Sequence, residues 1–169
     1  MTAGGADGID LRPIAPEDVP AAEDLLASLI AGRIQQRLGQ SVDVLALDGA
    51  GAWDGDRLVG LCTWSGPDGA NRSELAALAV VEDRRNRGIA AALVEAVADA
   101  ARATGAEVQW LVTTNDNLDA LRLYQRHGYR LAGLRPGAVD EARKAKPLIP
   151  TTGDYGIPMR DELILERRL

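Results

Sequence analysis

Cysteine is nearly absent from this sequence, and long apolar runs are absent altogether. The single cysteine among 169 residues, Cys62, cannot form a disulfide within the chain, which is typical of proteins in a reducing compartment. The longest apolar run, LAALAVV at 75–81, falls far short of the ~18 residues that a membrane span needs. No group of His, Cys, Asp and Glu has metal-ligand spacing. The sequence therefore predicts a soluble, cytoplasmic protein with no membrane partner and no metal.

The sequence also shows no signal-peptide pattern, no sign of an internal division and no excess of positive charge. Its first residues, MTAGGADGID, have neither the charged start nor the apolar core of a signal peptide, so residues 1–8 are predicted to form a flexible tail. No repeat or low-complexity linker divides the remainder, so residues 9–169 are predicted to form a single domain. The formal net charge of -6 disfavours nucleic acid as a partner and mildly favours a cationic one.

The apolar periodicity predicts strands that pair as neighbours in the first half, then an alternation of strands and helices. This order favours an α/β (α+β) fold with helices packed on a mixed sheet. Residues 31–38 are expected to continue the first helix or to start a second, and residues 42–53 are ambiguous but strand-like at both ends. The predicted strands are 10–14, 57–64, 73–81, 107–114, 129–135 and 161–169, and the predicted helices are 17–30, 88–104 and 118–127.

One short stretch, RRNRGIAAAL at 84–93, gathers three arginines at the start of a predicted helix. A helix N-terminus presents unpaired backbone N–H groups and a partial positive charge, and Gly88 and Ala90 leave room for a phosphate to approach them. The three arginines can add charge around such a phosphate. Neither GxGxxG nor a P-loop lysine is present. The stretch therefore indicates a phosphate site, and the alternative is a helix start with solvated arginines.

A second segment, TTNDNLDALRLYQRHGYRL at 113–131, places an asparagine and a phenol on one helix face. Asn117 and Tyr124 are seven residues apart, which is about two turns at ~3.6 residues per turn. Both side chains could therefore meet an extended ligand beside the helix. The alternative is that Asn117 caps the helix and Tyr124 fills the core.

With these two segments the chain resembles the GNAT superfamily of acyl-CoA-dependent N-acyltransferases. Residues 85–90 match its pyrophosphate loop, in which a Gln or Arg is followed by two residues, a Gly, one residue, and a Gly or Ala. Residues 117–129 match its second signature, an asparagine, then an alanine, a tyrosine and a final glycine-aromatic pair. The resemblance in element order extends from Ile9 to Leu169. It implies the GNAT fold, with a sheet of about six to seven strands flanked by about four helices, and a long insertion between the last two strands.

The resemblance also implies roles for particular residues, with acetyl-CoA as the acyl donor. Asn117 would bind the arm of the donor near its thioester, and Tyr124 would stand next to the sulfur. The backbone of Leu78, Ala79 and Val80 would bind the pantetheine arm as an added strand. Backbone N–H groups would hold the pyrophosphate along the segment Arg85, Asn86, Arg87, Gly88, Ile89, Ala90 and Ala91.

The chemistry of acyl transfer fits these residue types. A phenol of pKa ~10 can protonate a thiolate whose parent pKa is ~8.5, so Tyr124 is the candidate general acid. The attacking amine must be neutral, and Glu74, 11 residues before Arg85, is the candidate base, because the histone-acetylating branch of the superfamily carries its glutamate at this separation. The alternatives are a water chain and an ordinary strand-edge carboxylate. Val112 stands where the branch that acetylates protein N-termini has a glutamate, which disfavours that activity.

The connection between the last two predicted strands is unusually long. It runs over residues 136–160, beyond the ~12 to 15 residues usual for a loop in a compact domain. It contains the helical pattern VDEARKAK and three prolines, which favours an ordered lid over the acceptor site. Asp154, Tyr155 and Glu162 are the candidate acceptor-binding residues, because two carboxylates and a phenol could hold a cationic amine. The alternative is a surface decoration or the contact of a homodimer.

Three functions remain open at this point. The leading hypothesis is transfer of an acetyl group from acetyl-CoA to a primary amine of a small molecule, by direct attack in a ternary complex. A second is transfer to protein lysine, or transfer of another acyl group. A third, from a different class, is a module that binds acyl-CoA as a sensor without catalysis.

Overall fold

Seven strands form one mixed sheet in the computed structural model, which describes residues 8–30 and 32–169. The tail predicted at 1–8 falls almost wholly outside the described residues. Strands are interrupted by four α-helices and by short 3-10 turns. In chain order the elements are β1 (Ile9–Pro13), α1 (Val19–Leu29), β2 (Ile34–Arg37), β3 (Gln40–Asp43), β4 (Asp48–Asp54), β5 (Arg57–Trp64), β6 (Arg72–Val80), α2 (Ile89–Ala103), β7 (Val108–Thr114), α3 (Leu118–Arg126), β8 (Arg130–Arg135), α4 (Ala138–Ala145) and β9 (Glu162–Arg168).

The strand order in the main sheet is β1-β4-β5-β6-β7-β9-β8, and β2 pairs with β3 in a separate hairpin. Every neighbouring pair is antiparallel except β6 and β7, which are parallel and joined through α2. The predicted mixed sheet of six to seven strands with about four helices is therefore confirmed. The insertion between β8 and β9 is also observed, and it contains α4.

Helices cover both faces of the sheet. On one face α2 buries Leu93, Val94 and Val97 completely, in a cluster that also contains Tyr124 and Tyr129. On the other face α1 buries Ala22 and Leu26 against β5 and β6. Val44, which directly follows the hairpin β2–β3, is a buried member of this second cluster. The sheet thus separates the side of α2 and α3 from the side of α1 and the hairpin.

The parallel strands β6 and β7 stay paired for only a short distance. Their register joins Arg72 to Val108, Ser73 to Gln109 and Glu74 to Trp110, and it ends there. Both strands continue well beyond that point, β6 to Val80 and β7 to Thr114. A β-bulge lies at the same level, where the pairing of β5 with β6 shifts between Thr63 and Trp64. The two strands therefore diverge, and the sheet opens between them.

The prediction of a helix within residues 31–38 is wrong for residues 32–38, which are the part that the structure describes. Residues 34–37 form β2, and the chain then turns through Leu38 and Gly39, whose φ angles of 52° and 75° are left-handed and incompatible with a helix. Long-range contacts override the local pattern, since Arg37 pairs with Glu74 and the Leu38 N–H donates to Glu162. The segment 42–53 is strand at both ends, as predicted, with one 3-10 turn between them.

None of the helices within the described residues has the length and apolar character needed to cross a membrane.

Candidate active site

Two helix N-termini lie at the open end of the diverging strands. The chain leaves β6 and enters α2, and it leaves β7 and enters α3. Because β6 and β7 are parallel, their carboxyl ends meet at one edge of the sheet, and both helices begin there. Positive ends of two helix dipoles therefore border the opening.

The loop before α2 exposes backbone N–H groups. Asn86 and Gly88 have left-handed φ angles of 60° and 79°, and an alternation of such residues turns successive N–H groups toward one point. The first intrahelical bond runs from the Ala92 N–H to the Gly88 carbonyl, so the N–H groups of residues 88–91 precede the helical ladder. A Cβ built on Gly88 meets nothing within 4 Å. The loop thus presents unobstructed backbone N–H groups, an arrangement that can accommodate an anion.

The arginines of this loop have different roles. Arg84 is held by Asp54, which accepts from its Nε at 3.0 Å and its Nη2 at 2.8 Å, and by Asp83. Arg85 donates from Nε to the Val80 carbonyl and reaches back to the end of β6. Arg87 is exposed. Two carboxylates thus neutralise Arg84, which links the loop to β4. We therefore expect Arg84 to add less charge at a phosphate than Arg85 and Arg87 do.

Tyr124 lies on α3 and Asn117 directly precedes the helix, which agrees with the alternative in which Asn117 caps the helix and Tyr124 is part of the core. The Asn117 side-chain oxygen accepts from the Ala120 N–H at 3.2 Å, so Asn117 is the N-cap of the helix. Tyr124 is 6% exposed and packs edge-on against Tyr129, with ring centroids 5.5 Å apart. Burial, with smaller contributions from the nearby Cys62 and Tyr129, raises the pKa of Tyr124. Its phenol therefore stays protonated at physiological pH.

The strand edge that faces the opening belongs to β6. Leu78 is half-buried, whereas Ala79 and Val80 are buried, and all three lie beyond the last pair with β7. Their antiparallel pairing with β5 uses the other edge of the strand, since Cys62 stands opposite Leu78. The edge toward β7 therefore has no strand partner over these residues.

Glu74 lies where β6 and β7 separate, and its partner was not anticipated from the sequence. The side chain is 13% exposed, and its Oε1 accepts a hydrogen bond from Nε of Arg37 in the hairpin. Glu74 thus stands on the hairpin side of the sheet, opposite the face on which Tyr124 packs. Arg37 precedes Glu74 by 37 residues in a segment expected to be helical, so no local signal could have indicated the contact.

The insertion is fastened to the turn between β7 and α3. Asn115 donates to the Pro158 carbonyl at 2.9 Å and accepts from the N–H groups of Arg160 and Asp161 at 2.9 and 3.0 Å. Asp116, 2% exposed, accepts from the Asp154 N–H at 3.0 Å. These bonds hold residues 154–161 beside the open end of the sheet.

The three candidate acceptor-binding residues lie in two different places. The Tyr155 hydroxyl donates to Asp119 at 2.8 Å, and Asp154 is exposed next to it. Glu162 is instead 3% exposed, and its carboxylate accepts from the Leu38 N–H and from Arg135. Glu162 therefore ties the hairpin tip to β8 and β9.

A cavity of about 360 Å³ lies between the hairpin and the insertion. Its walls come from β2 and the hairpin turn, from the end of β8, and from α4. Arg37 is part of this wall, so the cavity adjoins the residue that holds Glu74. The polar residues among those that line it are Gln36, Arg37, Arg135 and Glu141.

Comparison with known proteins agrees with this arrangement. The profile of the acetyltransferase (GNAT) family matches residues 26–129, a range that contains β6, α2, β7 and α3 in full. This chain belongs to the GNAT family of acetyltransferases. A relative, the uncharacterized protein YxbD of Bacillus subtilis, is 44% identical over 125 residues, which are 73% of this chain and 76% of YxbD.

Solved GNAT structures share the fold. A GNAT acetyltransferase from Elizabethkingia anophelis with acetyl-CoA bound has a TM-score of 0.78 at 22% identity, covering 96% of this chain and 99% of that one. A Bacillus subtilis acetyltransferase in complex with CoA has a TM-score of 0.71 at 22% identity, covering 95% of this chain and 97% of that one. At such identities the likeness establishes the GNAT fold alone.

Proposed function

We propose that this GNAT protein transfers an acetyl group from acetyl-CoA to a primary amine of a small molecule, which attacks the thioester directly in a ternary complex. The observation that carries the proposal is the divergence of β6 and β7 after the Glu74–Trp110 pair, with two helix N-termini at the open end. Such an opening suits an extended arm that ends in a pyrophosphate. The CoA compounds in two neighbours of the same fold support acetyl-CoA as the donor.

The donor is bound mainly by backbone. The free edge of β6 at Leu78, Ala79 and Val80 pairs with the pantetheine arm as an added strand. The N–H groups from Arg85 to Ala91 hold the pyrophosphate, and the open space at Gly88 lets it approach. The amide of Asn117, whose oxygen caps α3, is oriented by that cap to donate to the arm near the thioester.

Tyr124 supplies the proton for the leaving group. Acetyl-CoA contributes a thioester whose sulfur departs as a thiolate when the amine attacks. Burial raises the pKa of Tyr124, which keeps the phenol in its acid form. The same exclusion of water disfavours the thiolate as well, so burial shifts the pKa values of the proton donor and of the departing thiol in the same direction.

Glu74 accepts the proton of the amine, directly or through a water. Nε of Arg37 holds Oε1 of Glu74, which leaves Oε2 to take the proton. Because Tyr124 and Glu74 lie on opposite faces of the sheet, the acid and the base flank the opening from two sides. The insertion acts as a lid, since α4 forms one wall of the cavity next to Arg37.

The first experiment measures thiol release from acetyl-CoA with a panel of small primary amines. We expect turnover with at least one amine and none without an acceptor. Stronger turnover with lysine peptides would favour a protein-lysine transferase, and tight acetyl-CoA binding without turnover of any acceptor would favour a sensor.

The second experiment tests the base with Glu74→Gln, which keeps an oxygen for Arg37. Turnover should fall by roughly 10- to 1,000-fold while acetyl-CoA affinity is unchanged, and the rise of rate with pH should be altered. Glu166→Gln is the matched control, since Glu166 pairs with Arg72 outside the site. Turnover of Glu74→Gln equal to wild type would assign deprotonation to water alone.

A further inference from the structure

The two outer strands of the main sheet, β1 and β8, differ in how well their edges are protected. An edge strand presents backbone N–H and C=O groups that can pair with another chain, and proteins usually cover or interrupt such edges. β1 ends in Pro13, and its apolar side chains, Ile9 and Leu11, are half-buried against the core. β8 contains no proline, and its two leucines, Leu131 and Leu134, are 60% and 58% exposed. Of the two edges, β8 is therefore the one open to a partner strand.

A β-bulge places both leucines of β8 on one face of the sheet. Leu131 stands opposite Leu165 and Leu134 stands opposite Leu163, and the pairing shifts between Leu131 and Gly133. Because opposite residues of an antiparallel pair point to the same face, both leucines lie on the face where Leu165 is buried. Without the bulge, two leucines three residues apart would point to opposite faces. The strand therefore presents an apolar pair beside its outer edge.

The sequence of β8, RLAGLR, complements itself when two copies run antiparallel. About a two-fold axis between Ala132 and Gly133, Leu131 of one copy faces Leu134 of the other, and the symmetric pair follows at the other end. Such an axis is perpendicular to the sheet and keeps equivalent faces on the same side. Two copies therefore bring four leucines together on one face, and apolar cross-strand pairs of this kind stabilise a sheet.

The opposite face carries the charges of β8. In the self-pairing, Arg130 of one copy faces Arg135 of the other. Each arginine also stands opposite a glutamate of its own β9, Arg130 opposite Glu166 and Arg135 opposite Glu162. Arg135 lies 3.4 Å from Oε2 of Glu162, whereas Glu166 is shared with Arg72. These carboxylates offset much of the repulsion between the two arginines, so the leucine pairs decide the contact.

We propose that β8 is the contact of a homodimer, in which two copies join their main sheets across this edge into one continuous sheet. The proposal does not depend on acetyl transfer, because β9 separates β8 from β7 and from the opening between β6 and β7. One strand edge and four leucines make a small interface, and interfaces below about 1,200 Å² are typical of reversible complexes. The dimer therefore forms reversibly with concentration.

The first test is analytical ultracentrifugation of the full chain at about 5 to 500 μM, in about 0.15 M salt, where screening limits the repulsion between two chains of net charge -6. Wild type should convert from monomer to dimer over this range. Leu131→Asp and Leu134→Asp should each weaken the association by more than about 100-fold, because the dimer would bury two aspartates. Leu148→Asp is the matched control, since Leu148 is 87% exposed and lies outside β8. It should dimerise like wild type.

The fold of each variant is checked by thermal unfolding at the lowest concentration, where the chain is monomeric. All three leucines are exposed, so the melting temperature of the monomer should stay near that of wild type. A loss of dimer at an unchanged melting temperature then reports the contact and not the stability of the fold.

The second test examines the register with single cysteines in a Cys62→Ala background. Leu131→Cys and Leu134→Cys proteins are oxidised separately and as a mixture. Self-pairing places these two positions opposite each other, within the roughly 4.4–6.8 Å between Cα atoms that a disulfide needs, whereas two copies of one position lie about 10 Å apart or more. The mixture should therefore give at least about tenfold more disulfide-linked dimer than either protein alone.

Three results would overturn the proposal. A chain that stays monomeric at the highest concentration would leave this edge to a strand of another protein. A dimer that persists in both aspartate variants would place the contact elsewhere on the molecule. Equal cross-linking in the mixture and in the separate proteins would contradict the antiparallel register.

Discussion

The proposed donor side and the proposed acceptor side of this protein are built in different ways. The donor side consists of backbone, namely the edge of β6 without a strand partner and the N–H groups before α2. The acceptor side consists of residues of the hairpin and the insertion, which meet across a cavity. Backbone groups offer the same contacts whatever the side chains are, whereas side chains can be matched to a particular acceptor.

The two sides also differ in how they are held together. The donor loop is fixed by contacts within a few residues and by the pair of Arg84 with Asp54. The acceptor side depends on contacts between residues far apart in sequence, such as Arg37 with Glu74 and Leu38 with Glu162. Perturbing one side should therefore leave the other largely intact, and four predictions test this separation.

The largest effect is expected at the donor loop. Gly88→Glu places bulk and negative charge at the proposed pyrophosphate site, so acetyl-CoA affinity measured by calorimetry should fall by more than about 100-fold, and stabilisation by the ligand should disappear. Gly105→Glu is the matched control, since Gly105 also has a left-handed φ and open space but lies at the other end of α2. Equal affinity of Gly88→Glu and wild type would remove the loop from the site.

The next effect concerns two neighbouring tyrosines. Tyr124→Phe should lower kcat by roughly 10- to 1,000-fold with little change in stability or donor affinity, because it removes only the proton donor. Tyr129→Phe, the control in the same cluster, should instead lower stability and leave kcat nearly unchanged. Its hydroxyl donates to the buried Gln109, so its loss should lower the free energy of unfolding by about 1–3 kcal/mol and spare kcat. The same loss of turnover in both variants would assign Tyr124 a packing role.

A smaller effect is expected on the acceptor side. Asn115→Ala removes three hydrogen bonds that hold the insertion, so the acceptor KM should rise by about 10- to 30-fold while donor affinity stays near wild type. Gln125→Ala, which removes an exposed amide on α3, should change neither quantity. An unchanged acceptor KM in Asn115→Ala would separate the insertion from the acceptor site.

The smallest effect concerns the loss of stability at alkaline pH. We expect Cys62, which lies in the same core cluster as Tyr124, to contribute to this loss. Burial raises the pKa of the Cys62 thiol, so the unfolded chain ionises first. The stability contribution of Cys62 is therefore complete below its unfolded pKa of about 8.5 and is lost as the pH rises, by about 1.4 kcal/mol between about pH 7.5 and 9.5. Urea unfolding should show a shallower alkaline loss in Cys62→Ala than in wild type. Parallel pH profiles would contradict this account.

The sequence predicted most of the sheet and the helices α2 and α3, next to which the candidate donor-binding residues lie. The patterns at 57–64 and 88–104 correspond closely to β5 and α2, because period-2 and period-3.6 burial leaves a local trace in the order of apolar residues. The placement of Gly88, Asn117 and Tyr124 at the helix starts and on α3 followed from short motifs. Residues 34–37 were misassigned, because β2 exists through contacts with distant residues rather than through its own periodicity.

By itself, therefore, the sequence determined the order of elements, the glycine-containing loop before α2 and the phenol on α3, since each depends on residues within a few positions of one another. Only the tertiary structure decided what surrounds the candidate base Glu74. It paired Arg37 with Glu74 and buried Glu162 under the hairpin tip. The physical reason is that burial and charge pairing arise when distant segments exclude water together, and no local pattern records which segments will meet.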